Sequence, residues 1–338
     1  MKKICLTFLL GTVAFLTGCG QNAYNGFKDP NVDMTVREIS AKNEEDILNM
    51  LSDARSCVVG ISVDLKNGYA VGSGVAISDG GYILTNNHVV SDGNEITLYF
   101  ADKTKLGAEV VWADPSIDMA VVKTSRQIPY LSTEDLKNVF VGEDIYAIGT
   151  PLTLEFKHTV TKGIVSSTKR TLESEGEKGT IFLQNLIQHD ASINPGNSGG
   201  PLITASGKVI GLNTLKASEG EGIAFAIPIK LGKIVVNKLK QNKSYVTPYM
   251  GVFALDADLA EVYGRNLKDG VYVVSVTGPA KKAGIKEGDV IKSINNEEIN
   301  NMLDFRSAIY EKDVGDIVEV IIERNNQQIT KLIKLEKK

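Results

Sequence analysis

Histidine, cysteine and tryptophan are scarce in this chain. Its 338 residues include three histidines, three cysteines and one tryptophan. Two of the cysteines, Cys5 and Cys19, fall in the first twenty residues, which read as a secretory leader. That leaves Cys57 with no partner for an intramolecular disulfide, so the fold must rest on its own core. Cys57 is flanked by Val58 and Val59, which points to a buried strand thiol rather than a reactive one. No His/Cys/Asp spacing resembles a ligand set, so a metal enzyme is disfavoured and no cofactor is expected. The formal net charge is −4 and there is no basic block, which gives no support for nucleic-acid binding. No apolar segment beyond the leader is long enough to span a bilayer, and there is no internal repeat or low-complexity tract.

The first twenty residues are M-K-K-I-C-L-T-F-L-L-G-T-V-A-F-L-T-G-C-G. Two lysines, a short apolar run and small residues are the parts of a signal peptide. The tetrad Leu16-Thr17-Gly18-Cys19 resembles a bacterial lipobox, in which the cysteine becomes the lipidated first residue. The expected organisation is a lipoprotein signal peptide over 1–18 and a tether over 19–42. Lipid at Cys19 would hold the protein at the extracytoplasmic side of the bacterial envelope. Within 43–55, Ile47, Leu48, Met50 and Leu51 form an apolar helical face behind an acidic first turn.

From 57 to about 227 short β-branched runs alternate with turn residues, among them C-V-V-G-I-S-V, M-A-V-V-K, P-L-I-T and G-I-A-F-A-I-P. About a dozen runs at this spacing indicate an all-β sandwich or a pair of small barrels. Residues 229–240 are helical in pattern and close a first domain over 43–240. The polar stretch 241–247 reads as a linker. Residues 248–338 form a second unit of strands with one helix near 303–311.

Residues 194–202 read N-P-G-N-S-G-G-P-L, placing Ser198 among residues with little side chain. A turn alone accounts for that composition. A nucleophile whose neighbours present backbone N–H groups to a carbonyl accounts for it as well. Such a serine needs a general base, most often histidine, and an acid to orient it. The candidates are His88 in I-L-T-N-N-H-V-V, where a strand runs into a polar corner, His158 in H-T-V-T-K and His189 in Q-H-D-A. Asp118 enters an apolar strand in D-P-S-I-D-M-A-V-V-K and so wants a partner. Asp114 reads as turn initiation, and Asp190 lies close to the serine. Residue patterns alone do not choose among the three histidines.

The segments T-N-N-H-V-V, D-P-S-I-D-M-A-V-V-K and N-P-G-N-S-G-G-P-L closely resemble the HtrA (DegP/DegS-like) family of serine proteases, in the His, Asp, Ser order of the chymotrypsin fold. G-I-V-S, I-G-L-N-T and G-I-A-F-A-I-P match as well, and the likeness runs from about 57 to 338. It implies a mainly β protein: a chymotrypsin-like double β-barrel protease domain followed by an α+β PDZ domain. It implies His88 as general base, Asp118 as its orienting acid and Ser198 as nucleophile. The oxyanion hole would come from the backbone N–H groups of Gly196 and Ser198, with Asn197 N–H between them. His158 and His189 then become structural histidines. Asn197 stands where digestive relatives carry an aspartate that pairs with a freed N-terminus, so activation by N-terminal insertion is not expected. Ser192 and Ile193, at the pocket wall, lead us to expect a small or medium apolar residue on the acyl side of the cut.

In the second unit, G-P-A-K-K-A-G-I-K-E-G-D-V-I resembles the mark of a PDZ domain, with Gly278 where serine is common. P-Y-M-G-V resembles the loop whose amides hold a peptide C-terminal carboxylate, which makes Tyr249, Met250, Gly251 and Val252 the candidates. The helix L-D-F-R-S-A-I would form the other groove wall. The family's partners are unfolded or misfolded proteins and C-terminal peptides, and its assembly is a homotrimer. The short loop between Val63 and Tyr69 keeps a single regulatory substrate in view, and 168–180 matches the family's sensor loop. A non-proteolytic PDZ chaperone or scaffold is the alternative, and an intact His88, Asp118 and Ser198 argues against it.

Overall fold

The computed structural model describes residues 44–338, apart from 67, 94, 151–157, 177–178, 217–220, 263, 265–266, 268 and 338. The expected leader, Cys19 and the tether lie outside the described residues.

Helix α1 (Glu44–Ser56) carries Glu44, Glu45 and Asp46 in its first turn and Arg55 in its last, matching the helix dipole. Ile47, Met50, Leu51 and Ala54 recur at helical spacing and pack on the core. Leu48, expected on that face, is instead 67% exposed, because it falls off the i, i+3, i+4, i+7 stripe. Cys57 is buried in the turn before the first strand rather than in a strand, and burial raises its thiol pKa.

Six antiparallel strands then close a barrel: β1 (Val58–Leu65), β2 (Gly68–Val75), β3 (Tyr82–Thr85), β4 (Glu95–Tyr99), β5 (Lys105–Asp114) and β6 (Met119–Lys123), in the order β1-β2-β3-β6-β5-β4. A short helix, α2 (Asn87–Val90), follows β3. The second barrel is built from β7 (Asp144–Gly149), β8 (Thr159–Gly176), β9 (Gly179–His189), β10 (Pro201–Thr204), β11 (Val209–Lys216) and β12 (Ala224–Pro228), ordered β10-β11-β12-β9-β8-β7.

The period-two alternation of a strand decides which core each residue joins. On β6, Ala120 and Val122 face the first barrel's interior with Val59, Ile61, Ile83 and Leu98. Met119 and Val121 face the other way, into a cluster shared by both barrels with Tyr146 and Ile148 of β7. Alternating with those two, Ile145 and Ala147 point into the second barrel with Val165, Ile187 and Leu202. Strands buried on both faces explain the near-continuous apolar runs in the sequence.

Helix α3 (Lys230–Asn242) lays Leu231, Val235, Val236 and Leu239 on the shared cluster and leads to the second unit. That unit contains β13 (Pro248–Tyr249), β14 (Val252–Leu255), α4 (Ala257–Val262), β15 (Val271–Val276), α5 (Gly278–Lys282), β16 (Val290–Ile294), β17 (Glu297–Glu298), α6 (Met302–Tyr310), β18 (Ile317–Arg324), β19 (Gln327–Lys334) and β20 (Glu336–Lys337). Its sheet runs β14-β15-β16-β18-β19 over a separate core that includes Met250, Phe305, Ile309 and Val320.

Buried polar groups join this unit to the barrels. Asn185, in the left-handed conformation that asparagine tolerates (φ 62°), donates from Nδ2 to Asp256 Oδ2 at 2.8 Å. Its Oδ1 accepts Leu303 N–H at 2.9 Å, at the start of α6. Gln184 Oε1 accepts Asp256 N–H at 3.1 Å, and Asp256 Oδ1 accepts Met302 N–H at 2.5 Å. At the other end of α6, Tyr310 joins the inter-barrel cluster, edge-on to Trp112. Its hydroxyl donates to Asp114 Oδ2 at 2.5 Å, while Ser116 N–H and Oγ donate to Oδ1. Burial first, then the Asp114 charge, pushes the Tyr310 pKa well up and keeps the phenol a donor.

Tyr310→Phe strips the donor from one oxygen of a buried carboxylate. We expect a loss of about 1–3 kcal/mol in unfolding free energy, read by urea denaturation.

Candidate active site

The site lies where the two barrels meet. Tyr82–Thr85 runs into Asn86 and then into α2, so His88 sits on a short helix rather than in an irregular corner. Asp114 closes β5 and accepts Ser116 N–H, starting the 3-10 turn Pro115–Ile117. That turn ends at Asp118, which is left-handed (φ 51°), a conformation aspartate adopts more readily than most residues. Asn86 Nδ2 donates to the Asp118 carbonyl at 2.9 Å and ties the two segments together.

The Asp118 carboxylate is nearly enclosed and receives three groups. His88 Nδ1 lies 2.8 Å from Oδ2 and 3.0 Å from Oδ1, and His88 N–H donates to Oδ1 at 3.0 Å. Thr214 Oγ1, from the second barrel, donates to Oδ2 at 2.8 Å. A carboxylate only accepts, so Nδ1 carries the proton and Nε2 keeps its lone pair. The His88 side chain is 47% exposed, open to an incoming group. Ser198 Oγ donates to the Thr214 carbonyl at 3.1 Å. Among the described residues, no hydrogen bond joins that hydroxyl to His88. Thr214 therefore touches the acid with its hydroxyl and the serine with its carbonyl. It lies 96 residues from Asp118 in the chain, so nothing local in I-G-L-N-T marks that role.

The small residues around Ser198 serve two different needs. A Cβ on Gly199 would run into the Ser73 carbonyl and the Thr85 hydroxyl, and one on Gly200 into the Ile148 carbonyl. Gly199 also holds φ +82°; it is small because the first barrel presses on it, whereas Gly200 is small because β7 of its own barrel lies against it. Gly196 is buried and takes φ +100°, a backbone conformation that glycine adopts freely. Among the described residues, the Gly196 and Ser198 N–H groups have no hydrogen-bond partner. Asn197 N–H, expected between them as a third donor, is instead directed to the Asn194 carbonyl at 3.0 Å. The i→i+3 turn over 194–197 takes that proton, which leaves a pair rather than a trio.

Beside the serine loop lies a cavity of about 300 Å³ lined by Asp190–Ile193 and Glu221–Ala224. Ser192 is exposed and Ile193 buried. Asp190 Oδ1 accepts Ile164 N–H at 2.6 Å, which fixes that wall, and the exposed Glu221 stands at the rim. His158 and His189 are both buried. Among the described residues, no cluster of His, Cys, Asp or Glu is arranged to hold a metal ion.

In the second unit, Tyr249 ends β13 and its hydroxyl lies 2.5 Å from Thr277 Oγ1. Gly251 takes φ +89°, and its carbonyl accepts Thr277 N–H at 2.7 Å. The Met250 carbonyl accepts Ala280 N–H at 2.8 Å, with the Met250 side chain buried in the core. Among the described residues, the Met250 and Gly251 N–H groups carry no hydrogen bond. Val252 opens the edge strand β14.

Two closed six-stranded barrels followed by this unit define a chymotrypsin-like serine protease with one PDZ domain. Residues 72–212 match the trypsin-like peptidase domain family and 249–335 the PDZ domain family. The chain is 33% identical to the serine protease Do-like HtrA of Lactobacillus helveticus, over 99% of this chain and 95% of that protein. It is 37% identical to the Do-like HtrB of Bacillus subtilis, over 85% of this chain and 70% of that one. A probable periplasmic DegP-like serine endoprotease of Pseudomonas putida is 37% identical over 78% of this chain, which spans 55% of that relative. Among solved structures, the HtrA-type protease AlgW with a tripeptide matches with a TM-score of 0.66 at 30% identity, covering 86% of this chain and 97% of AlgW. The serine endoprotease of Yersinia pestis matches at 0.60 and 32%, covering 86% and 98%. The chain belongs to the HtrA family of serine proteases and is a serine endopeptidase.

His189 supplies a pH test of the barrel beneath the site. It is fully buried, neither ring nitrogen has a hydrogen-bond partner among the described residues, and burial lowers its pKa from 6.5 to about 4, opposed by the Asp190 charge. The unfolded chain takes up this proton first, so the stability is complete above pH 6.5 and is lost as the pH falls through 4. The shift is worth about 3 kcal/mol. Between pH 7 and pH 4 the wild type should lose about that much more unfolding free energy than His189→Leu, measured by denaturant titration at each pH.

Proposed function

We propose that the protein cleaves unfolded or damaged proteins in the bacterial envelope, with Ser198, His88 and Asp118 as its catalytic residues. The observation that carries this reading is the Asp118–His88 Nδ1 pair, with Ser198 attached to the same carboxylate through Thr214. Asp118 holds His88 as the tautomer whose Nε2 accepts a proton. On substrate binding the Ser198 hydroxyl leaves the Thr214 carbonyl for that nitrogen. Ser198 Oγ bonds to the scissile carbonyl carbon and its proton passes to Nε2. The carbonyl oxygen takes the charge and meets the N–H groups of Gly196 and Ser198. When the C–N bond breaks, the Nε2 proton leaves with the amine. Water then attacks the ester, again giving its proton to Nε2, and the acid product departs as Ser198 recovers its own. One such oxyanion donor is commonly worth ~10²–10³ in rate.

The cavity wall of Ala191, Ile193, Ile223 and Ala224 suits a small or medium apolar residue on the acyl side of the cut. The open N–H groups of Met250 and Gly251, beside the free edge of β14, suit a peptide C-terminal carboxylate, with the chain adding along that edge. Tyr249 and Val252 frame the loop. A bound C-terminus would raise proteolysis. The protein is anchored by lipid on Cys19 and works as a homotrimer.

Cleavage of β-casein tests the reading. Ser198→Ala should lower the rate by on the order of 10⁴ or more, and a peptide with an apolar C-terminus should raise the wild-type rate. Persistent cleavage by Ser198→Ala would remove the assignment. An intact wild type that cuts no casein with or without peptide would leave a single-substrate protease or a PDZ binder. Cys19→Ser should move the protein from the membrane fraction to the soluble one after cell fractionation.

A further inference from the structure

Ser73 lies on β2, wholly buried, on the barrel opposite the serine loop. Its hydroxyl donates to the Gly196 carbonyl at 2.7 Å and accepts Thr150 N–H at 2.8 Å. Its backbone N–H donates to the Ser198 carbonyl at 2.8 Å, and its own carbonyl accepts Thr85 Oγ1 at 2.7 Å. Both polar functions of one small side chain and both of its backbone groups are thus engaged, and two of the four contacts fall on the residues whose N–H groups are open. A backbone N–H can only donate, so Thr150 fixes the direction of the hydroxyl: it must accept from Thr150 and aim its proton at Gly196.

The loop shows why that bond matters. The Gly196–Asn197 peptide is held at both ends, its carbonyl by Ser73 and its N–H by the Asn194 carbonyl. Asn197 O accepts Gly200 N–H at 3.0 Å, which fixes the peptide that carries Ser198 N–H. The remaining donor, Gly196 N–H, belongs to a glycine at φ +100° with no side chain to restrict it. Its direction depends on where the Gly196 carbonyl is pinned, and Ser73 pins it. We propose that Ser73 is a positioning residue for the oxyanion pair, acting from the first barrel on a loop of the second and sharing its hydroxyl with Thr150.

This inference rests on the assignment of Ser198 and Gly196 made above. Its signature is transition-state stabilisation lost without loss of substrate binding. The substrate is a peptide taken from β-casein around a mapped cut, and the transition-state mimic is the boronate of the same sequence. In Ser73→Ala we expect kcat to fall about 10- to 100-fold with KM within about twofold of wild type. Boronate affinity should fall by the same factor. Affinity for the uncleaved peptide, measured in a Ser198→Ala background, should not change. Ser73→Cys, close in volume but a weak donor, should show the same split and carries the test if the alanine variant does not fold. Ser73→Thr, which keeps the hydroxyl, should recover most of the rate. Unchanged kcat in Ser73→Ala and Ser73→Cys, equal losses for boronate and uncleaved peptide, or no recovery in Ser73→Thr would each overturn the proposal. Ser198→Ala alone separates the two failures. If it still cuts, the site assignment is wrong; if it is inert while the Ser73 variants are fully active, only the role of Ser73 is wrong.

Discussion

The Asp118 carboxylate accepts hydrogen bonds from both barrels, and the geometry of the site follows from that sharing. The first barrel offers the His88 backbone and ring, and the second offers the Thr214 hydroxyl. A nearly buried carboxylate is costly unless its oxygens are satisfied, and the Thr214 hydroxyl of the second barrel joins the first barrel's donors on Oδ2. Satisfying Asp118 therefore brings the barrels into one register. That register places Ser198 against the Thr214 carbonyl and brings Ser73 onto the loop beside it. Gly199 after Ser198 is the steric counterpart, because barrel contact at Ser73 and Thr85 leaves no room for a Cβ.

The segment from Asp114 to Asp118 carries two such carboxylates with different partners. Asp118 holds His88, whereas Asp114 accepts the Tyr310 hydroxyl from the last turn of the PDZ helix α6. A three-residue 3-10 turn separates them. At its other end α6 meets Asn185 and Asp256: the Asn185 amide donates to Asp256 and accepts the Leu303 N–H, while Asp256 accepts the Met302 N–H. The PDZ domain thus docks through buried polar bonds at both ends of one helix, with Tyr310 seated in the cluster between the barrels. A dock of this kind is specific in orientation, since each misplacement leaves a buried group without its partner.

Much of the architecture was legible in the chain because its signals are local. Alternating β-branched runs, the helical stripe of α1, the turn at Asp114 and the small-residue loop at Ser198 are each written in a few consecutive residues. The motif order His88, Asp118, Ser198 named the family. Less legible was whatever depends on a partner far along the chain. Leu48 looked apolar and inward but lies off the stripe that packs. Asn197 N–H looked available but closes a turn to Asn194. Asp114 looked like a turn former, which it is, and gave no hint of Tyr310 some 196 residues later.

The sequence by itself determined the class of fold, the two-part organisation and the residue types needed for acyl transfer, because periodicity and motif chemistry are short-range properties. Only the tertiary structure set His88 apart from the other two histidines, by placing its Nδ1 on Asp118 with its side chain half exposed while His158 and His189 are buried. It alone assigned Thr214 and Ser73 their contacts, which exist only once the two barrels close on each other. Hydrogen bonds are directional and act over about 3 Å, so they report which surfaces meet, and that is decided by packing rather than by order along the chain.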